Sequence, residues 1–176
     1  MQALKDYHDM IADVNRRCRR IVSRHPEQIA CTKGCAGNCC RIHLTVYPVE
    51  AVALARALQA KPPEMRRRIR QQARHTNTFG PCPLLADGAC QLYAARAVIC
   101  RTHGLPVRTE YRGHRSIGFC QKNFRYLSAI PAEDIIDLAR LNNRLVDVNR
   151  RFVSQMTHRL PPGDRFTIAT ALLMAV

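Results

Sequence analysis

The cysteines constrain this chain more strongly than any other feature. Nine occur in 176 residues, and four of them crowd into the ten-residue stretch "CTKGCAGNCC" at positions 31–40. Four more follow in and after the stretch "CPLLADGACQLYAARAVICRTHG", at Cys82, Cys90, Cys100 and Cys120. An ordinary hydrophobic core needs no such number of thiols, so the sulfurs either pair with one another or together hold something else.

The remainder of the sequence favours reduced thiols over disulfides. The N-terminus is polar and amphipathic, without an apolar run that leads to a small-residue cleavage site. The longest apolar tail, residues 166–176, is about half of the roughly 20 residues that a membrane-spanning helix needs. We therefore expect a soluble, cytoplasmic protein with no membrane association, and in that compartment clustered cysteines bind metal more often than they form disulfides.

Hydrophobic spacing predicts helices on both sides of the cysteines. Apolar residues recur every three or four positions over residues 4–24 and again over 132–160. Pro48 begins a further predicted helix, and the pair Pro62-Pro63 precedes an arginine-rich one whose charges are typical of a solvated face.

The segments between these helices carry weaker signals. The stretch "RIHLTVY" after Cys40 predicts a short strand or an extended connector, and residues 76–128 show little periodicity. Asp164 is a candidate cap for a last apolar helix. The predicted fold is mainly α: a single domain over 1–176, in which a small helical bundle carries an irregular cysteine-rich, metal-binding insert at about 29–125.

Thiolate is a soft anionic ligand that suits zinc, copper(I) or iron–sulfur assemblies. Four thiolates close a structural zinc site, so eight are enough for two such sites. The candidate ligands are Cys31, Cys35, Cys39, Cys40, Cys82, Cys90, Cys100 and Cys120. Side chains of adjacent residues diverge, so Cys39 and Cys40 favour two neighbouring metals, or one ligand and one bridge, and hence a polynuclear centre.

Other side chains are weaker candidates. His43 and His103 lie close to the cysteines in sequence, but a single histidine beside a metal loop is more often a surface residue or a hydrogen-bond partner of a ligand. Cys18 falls on the apolar side of the first predicted helix, where a thiol behaves as a small hydrophobic group, so we exclude it from the site.

The two cysteine segments resemble the YkgJ-type cysteine-cluster family of zinc- or iron-chelating domains. The second segment matches the family pattern from Cys82 to Arg101, and the resemblance covers about residues 31–104. The first segment has three-residue gaps where two are commoner, and Ala97 replaces the usual proline. The resemblance implies a zinc or iron centre, with an iron–sulfur cluster as an alternative. It also implies that Arg96 and Arg101 donate hydrogen bonds to the metal-bound sulfurs.

Arg41 flanks the first cysteine group and is a third candidate for that supporting role. Two further hypotheses stay open beside plain metal binding. The first is an enzyme that uses the centre for redox chemistry or for modifying a protein side chain, although no phosphate loop, nucleophile elbow or H-E-x-x-H motif is present. The second is a basic zinc module that binds nucleic acid, because the net charge is +15. We favour it less, because the basic residues are not interleaved with aromatic ones.

Overall fold

Helices form most of the backbone in this computed structural model, which describes residues 2–31, 40–42, 44–76, 80–127, 129–156 and 161–175. The α-helices in these ranges are α1 Gln2–Arg24, α2 Pro48–Gln59, α3 Pro63–His75, α4 Val98–Thr102, α5 Leu138–Ser154 and α6 Ile168–Leu173. Short 3-10 helices lie at Pro26–Gln28, Tyr93–Ala95 and Ala132–Asp134. The prediction of a mainly helical protein is therefore confirmed.

The helices begin where local chemistry satisfies their first N–H groups. Pro48 and Pro63 lie in the first turns of α2 and α3, where a missing N–H has no consequence. The side chain of Asp137 caps α5 by accepting the N–H of Arg140 at 3.0 Å. Thr167, rather than the predicted Asp164, caps α6.

Two of the three apolar clusters in the described residues pack the helices against one another. The first lies between α2, α3 and α6 and includes Leu54, Leu58, Ile69, Ala171 and Leu172. The second lies between α1, α2 and α5 and includes Met10, Val52, Leu145, Val148 and Phe152. Helix α2 thus contributes to both clusters and lies at the centre of the molecule, and α4 packs against α1.

The strands in the described part of the chain are short and form three small sheets. Antiparallel pairs are β1 Thr45–Val46 with β7 Phe166–Thr167, and β2 Leu85–Ala86 with β3 Ala89–Cys90. The third sheet has the order β5-β4-β6, with β4 Val107–Tyr111, β5 His114–Gly118 and β6 Ile136–Asp137. Strand β4 is antiparallel to β5 and parallel to β6.

The β4–β5 hairpin was not predicted. Strand β5 is exposed along its whole length and lacks the alternation that marks a half-buried strand. The prediction that a helix begins at Ala132 was also wrong. Asp134 is buried against His25, with 2.7 Å between Asp134 Oδ2 and His25 Nε2. The following residues pair with β4, and the helix begins only at Leu138.

The structure does not show the predicted insert over 29–125 as one unit. Helices α2 and α3 lie inside that range and pack against α6 as part of the core. The division of the chain into domains stays a prediction. No helix in the described residues combines the length and the apolar character that crossing a bilayer requires.

Candidate metal centre

Three cysteines of the second segment lie at the edge of the first core cluster. Cys82, Cys90 and Cys100 are half-buried and pack against the apolar side chains shared by α2, α3 and α6. Burial is the main cause that raises the pKa of Cys100, and the neighbouring Cys82 and Cys90 raise it further, so the three side chains lie near one another. The fold thus brings three cysteines that are 8 to 18 positions apart in sequence to the edge of the same cluster.

A tight turn and a backbone hydrogen bond position Cys82 and Cys90. Asp87 and Gly88 both adopt positive φ, at 50° and 73°, and form the two-residue turn that joins β2 to β3. This turn places Cys90 opposite Leu85, whose N–H in turn donates to the carbonyl of Cys82 at 2.9 Å.

Helix α4 carries Cys100, and a buried carboxylate fixes its first turn. The Oε1 atom of Glu50 accepts the N–H of Val98 at 3.0 Å, while Oε2 accepts the N–H of Tyr47 at 3.0 Å. Glu50 is 2% exposed, and its burial raises the pKa of the carboxyl group. The Glu50 side chain of α2 therefore fixes the position of the first turn of α4 relative to the core.

The first cysteine segment reaches this group through the backbone. The N–H of Cys82 donates to the carbonyl of Cys40 at 2.8 Å, so Cys40 lies beside the Cys82 loop although 42 residues separate them. Of the first segment, the structure describes Cys31 and Cys40. Cys35, Cys39 and His43 lie outside the described residues.

Burial governs the protonation of these thiols. Loss of hydration raises the pKa of Cys82 to about 11 and that of Cys100 to about 12, and it also raises the pKa of Cys90. The guanidinium of Arg96 opposes the shift at Cys90 and Cys100 without reversing it. Without a metal, the three sulfurs are therefore neutral thiols at neutral pH, and a bound cation would supply the charge that stabilises thiolates.

Arg96 and Arg101 brace the loop between β3 and α4. Arg96 donates to the carbonyls of Tyr93 at 3.0 Å and Cys100 at 3.2 Å, and its guanidinium lies 3.6 Å from the centre of the Tyr93 ring. Arg101 donates to the carbonyls of Arg96 and Ala94. Arg101 also donates to Asn15 Oδ1 at 2.9 Å. The hydrogen bonds to metal-bound sulfur that the resemblance implies for Arg96 and Arg101 stay a prediction. Arg41 is exposed.

A second pair of cysteines, Cys31 and Cys120, lies around a buried asparagine. The Nδ2 group of Asn123 donates to Cys31 Sγ at 3.3 Å and to the Gly104 carbonyl at 2.7 Å. Its Oδ1 atom accepts the N–H of Ala30 at 2.9 Å, and the N–H of Cys120 also donates to the Gly104 carbonyl, at 3.3 Å. Asn123 thus fastens the two cysteine segments together.

Sequence reasoning missed both Asn123 and Gly104. Gly104 has a φ of +91°, and a Cβ atom built there would lie 3.0 Å from Cys31 Sγ. The available signals were a glycine four residues after Cys100 and an asparagine three residues after Cys120. Neither signal indicates a contact with sulfur without the tertiary structure.

Of the predicted ligands that the structure describes, Cys82, Cys90 and Cys100 border one apolar cluster, Cys40 is joined to Cys82 by a backbone hydrogen bond, and Cys31 and Cys120 lie around Asn123 and Gly104. Within the described ranges, no three cysteine, histidine, aspartate or glutamate side chains converge as the ligands of one ion would. His103 is exposed at the end of α4. Cys18 packs beside Ile21 on α1, and its thiol donates to the carbonyl of Arg101 at 3.6 Å.

A helical scaffold that gathers cysteines from distant loops defines a small cysteine-cluster protein. Residues 30–121 match the model of the CxxCxxCC family, described as "Putative zinc- or iron-chelating domain". The chain belongs to this family, which confirms the resemblance found in its cysteine segments. No curated protein and no solved structure matches the chain significantly.

Proposed function

We propose that this protein holds a polynuclear zinc or iron centre through the thiolates of its eight clustered cysteines. The observation that supports the proposal is that Cys82, Cys90 and Cys100 all border the first apolar cluster, and that a backbone hydrogen bond joins Cys40 to Cys82. Soft sulfur donors in a largely desolvated place suit zinc and iron–sulfur assemblies, and they do not suit hard cations such as magnesium or calcium.

One half of the centre uses the cysteines around the β2–β3 hairpin. Cys40, Cys82, Cys90 and Cys100 provide four thiolates, the number that closes a structural zinc site. The bound metal supplies a positive charge that offsets the loss of hydration at the sulfurs. Arg96 contributes further positive charge and holds the loop by its hydrogen bonds to Tyr93 and Cys100.

The other half uses Cys31 and Cys120, joined by Cys35 and Cys39. The contact from Asn123 to Cys31 supports this assignment, because a hydrogen bond to a thiolate stabilises its charge. On this division the adjacent Cys39 and Cys40 serve different halves, which agrees with the divergence of neighbouring side chains. Eight thiolates for two metals favour closed, structural coordination over the open position that a catalytic metal needs.

Metal analysis of protein purified without oxygen tests the proposal. We expect about two zinc or iron atoms per chain, with X-ray absorption showing sulfur neighbours near 2.3 Å if the metal is zinc. Inorganic sulfide would indicate an iron–sulfur cluster instead. Protein without metal, or with only nitrogen and oxygen ligands, would contradict the proposal.

A pair of single substitutions locates the site. Cys100→Ala should lower the metal content, whereas Cys18→Ala, at another half-buried cysteine, should leave it unchanged. Circular dichroism of both variants checks that the helices persist. Equal metal content in the two variants would remove Cys100 from the ligand set.

A further inference from the structure

One segment of the chain exposes basic and aromatic side chains that metal binding does not explain. Residues 111–126, "YRGHRSIGFCQKNFRY", contain four lysines or arginines, four aromatic residues and no carboxylate. The interpretation that basic residues of this chain are not interleaved with aromatic ones is wrong for this segment. We call residues 111–126 the basic–aromatic segment.

Its tyrosines lie largely in solvent. Tyr111 is 72% exposed at the end of β4, and Tyr126 is 84% exposed beyond the hairpin. Phe119 is 40% exposed and rests edge-on against buried Phe124, with 5.7 Å between the ring centres. Exposed rings that the protein itself does not cover are available to stack on the faces of other rings.

Several cations of the segment lack an acidic neighbour. Glu110 pairs with Arg115, and Asp137 pairs with Arg108, so these two arginines are already neutralised. Within the described residues, no carboxylate lies within ion-pairing distance of Arg112, Lys122 or Arg125. These three charges therefore remain available for an anionic partner.

The tip of the β4–β5 hairpin presents a charge beside a ring. Arg112 and Gly113 form the two-residue turn with φ of 50° and 80°, and the Arg112 guanidinium carbon lies 5.3 Å from the centre of the Tyr111 ring. Asparagine, aspartate or glycine is the usual residue where Arg112 stands. The turn thus keeps a cation in a backbone conformation that arginine rarely adopts.

We propose that the basic–aromatic segment binds single-stranded nucleic acid. Proteins bind single strands by combining aromatic rings, on which bases stack, with cations that follow the phosphates, and this segment exposes both. The net charge of +15 adds attraction that does not depend on sequence. An anionic membrane fits less well, because the hairpin tip consists of Arg112, Gly113 and His114 and offers no apolar wedge.

Fluorescence anisotropy of the metal-loaded, full-length protein with labelled ten-nucleotide U10 RNA and T10 DNA tests this inference. We expect both strands to bind more tightly than a ten-base-pair duplex. Three phosphate contacts predict a slope of about −2 for the logarithm of affinity against the logarithm of salt concentration. Duplex binding as tight as single-strand binding would overturn the proposal.

Single substitutions separate the contributions of ring stacking, charge and apolar contact to the binding of single strands. Tyr126→Ala and Tyr111→Leu should each weaken binding about fivefold or more, whereas Tyr111→Phe, which keeps the ring, should change it less than about twofold. Arg112→Asn should also weaken binding, although asparagine suits the turn and preserves the hairpin. Arg67→Ala, at an exposed arginine of α3, is the matched control and should have a smaller effect.

Two outcomes would overturn the inference. If Arg67→Ala weakens binding as much as Arg112→Asn, the attraction belongs to the overall charge and not to this segment. If phosphatidylserine vesicles compete with U10 and Tyr111→Leu keeps full affinity, the surface binds a membrane rather than stacked bases. Metal content measured on every variant keeps these results separate from the proposed centre.

Discussion

Single residues decide how closely the cysteine segments approach each other. Gly104 is the tightest point, because its φ is +91° and a Cβ atom there would lie 3.0 Å from the Cys31 sulfur. The buried side chain of Asn123 then links that sulfur to the Gly104 carbonyl. The close approach of Cys31 to Gly104 therefore requires a residue without a Cβ atom at position 104 and the side-chain amide of Asn123.

Gly104→Ala should destabilise the protein and disturb metal binding at Cys31. The positive φ alone costs about 1–2 kcal/mol for a residue with a Cβ atom, and the contact with sulfur adds to that. Gly113→Ala is the control, because Gly113 has a φ of +80° but no atom within 4 Å of the added methyl group. Urea unfolding and metal analysis compare the two. Equal losses of stability with equal metal content would show that the sulfur contact has no effect.

Among the secondary-structure elements, helix α2 links the apolar core to the helix that carries Cys100. It contributes to both apolar clusters, and from its first turn Glu50 reaches the N–H of Val98 at the start of α4. The position of Cys100 therefore depends on a carboxylate one helix away. Removing a partner from a buried N–H group leaves that group unsatisfied.

Glu50→Ala should lower the free energy of unfolding by about 1–3 kcal/mol for each N–H left without its acceptor, and it should weaken metal retention through α4. Glu64→Ala is a suitable control, because Glu64 also lies in the first turn of a helix but is exposed. Denaturant unfolding with and without a chelator measures both effects. A variant as stable as the control would show that the Glu50 hydrogen bonds contribute little.

At the scale of the whole molecule, protonation of the thiols links stability to pH. In the metal-free protein, the folded pKa values of Cys82 and Cys100 lie near 11 and 12, above the usual value of 9.0. The stability from these neutral thiols is therefore fully present below about pH 9 and is lost as the pH rises through 11 to 12.

The metal-loaded protein should behave in the opposite way. Its thiolates must be protonated for the metal to leave, so acidification should destabilise it and metal binding at pH 7 should release protons. Thermal unfolding from pH 5 to pH 11, with and without a chelator, measures both trends. Identical pH profiles in the two states would contradict thiolate coordination.

Removing the metal should loosen the cysteine loops more than the helical scaffold. Residues 80–106 contain three of the proposed ligands, whereas α1 and α5 pack mainly against each other and against α2 in the second apolar cluster. Hydrogen exchange should therefore increase in residues 80–106 after chelation and change little in α1 and α5. Uniform loosening, or none at all, would count against a metal centre confined to the loops.

The sequence by itself determined the helical class, the starts of α2 and α3 and the family of the cysteine segments. It did so because hydrophobic period, proline position and cysteine spacing are local features. The sequence did not predict where α5 begins, because the hydrogen bond between Asp134 and His25 and the pairing of β6 with β4 join residues distant in sequence.

Only the tertiary structure decided which described cysteines lie near one another. The spacing named Cys40, Cys82 and Cys100 as ligands, but the bond from Cys82 to the Cys40 carbonyl and the reach of Glu50 to α4 arise from packing. The supporting roles of Gly104 and Asn123 also depend on a contact between segments more than 70 residues apart. Such contacts follow from the burial of apolar surface across the whole chain, and no local pattern of residues encodes them.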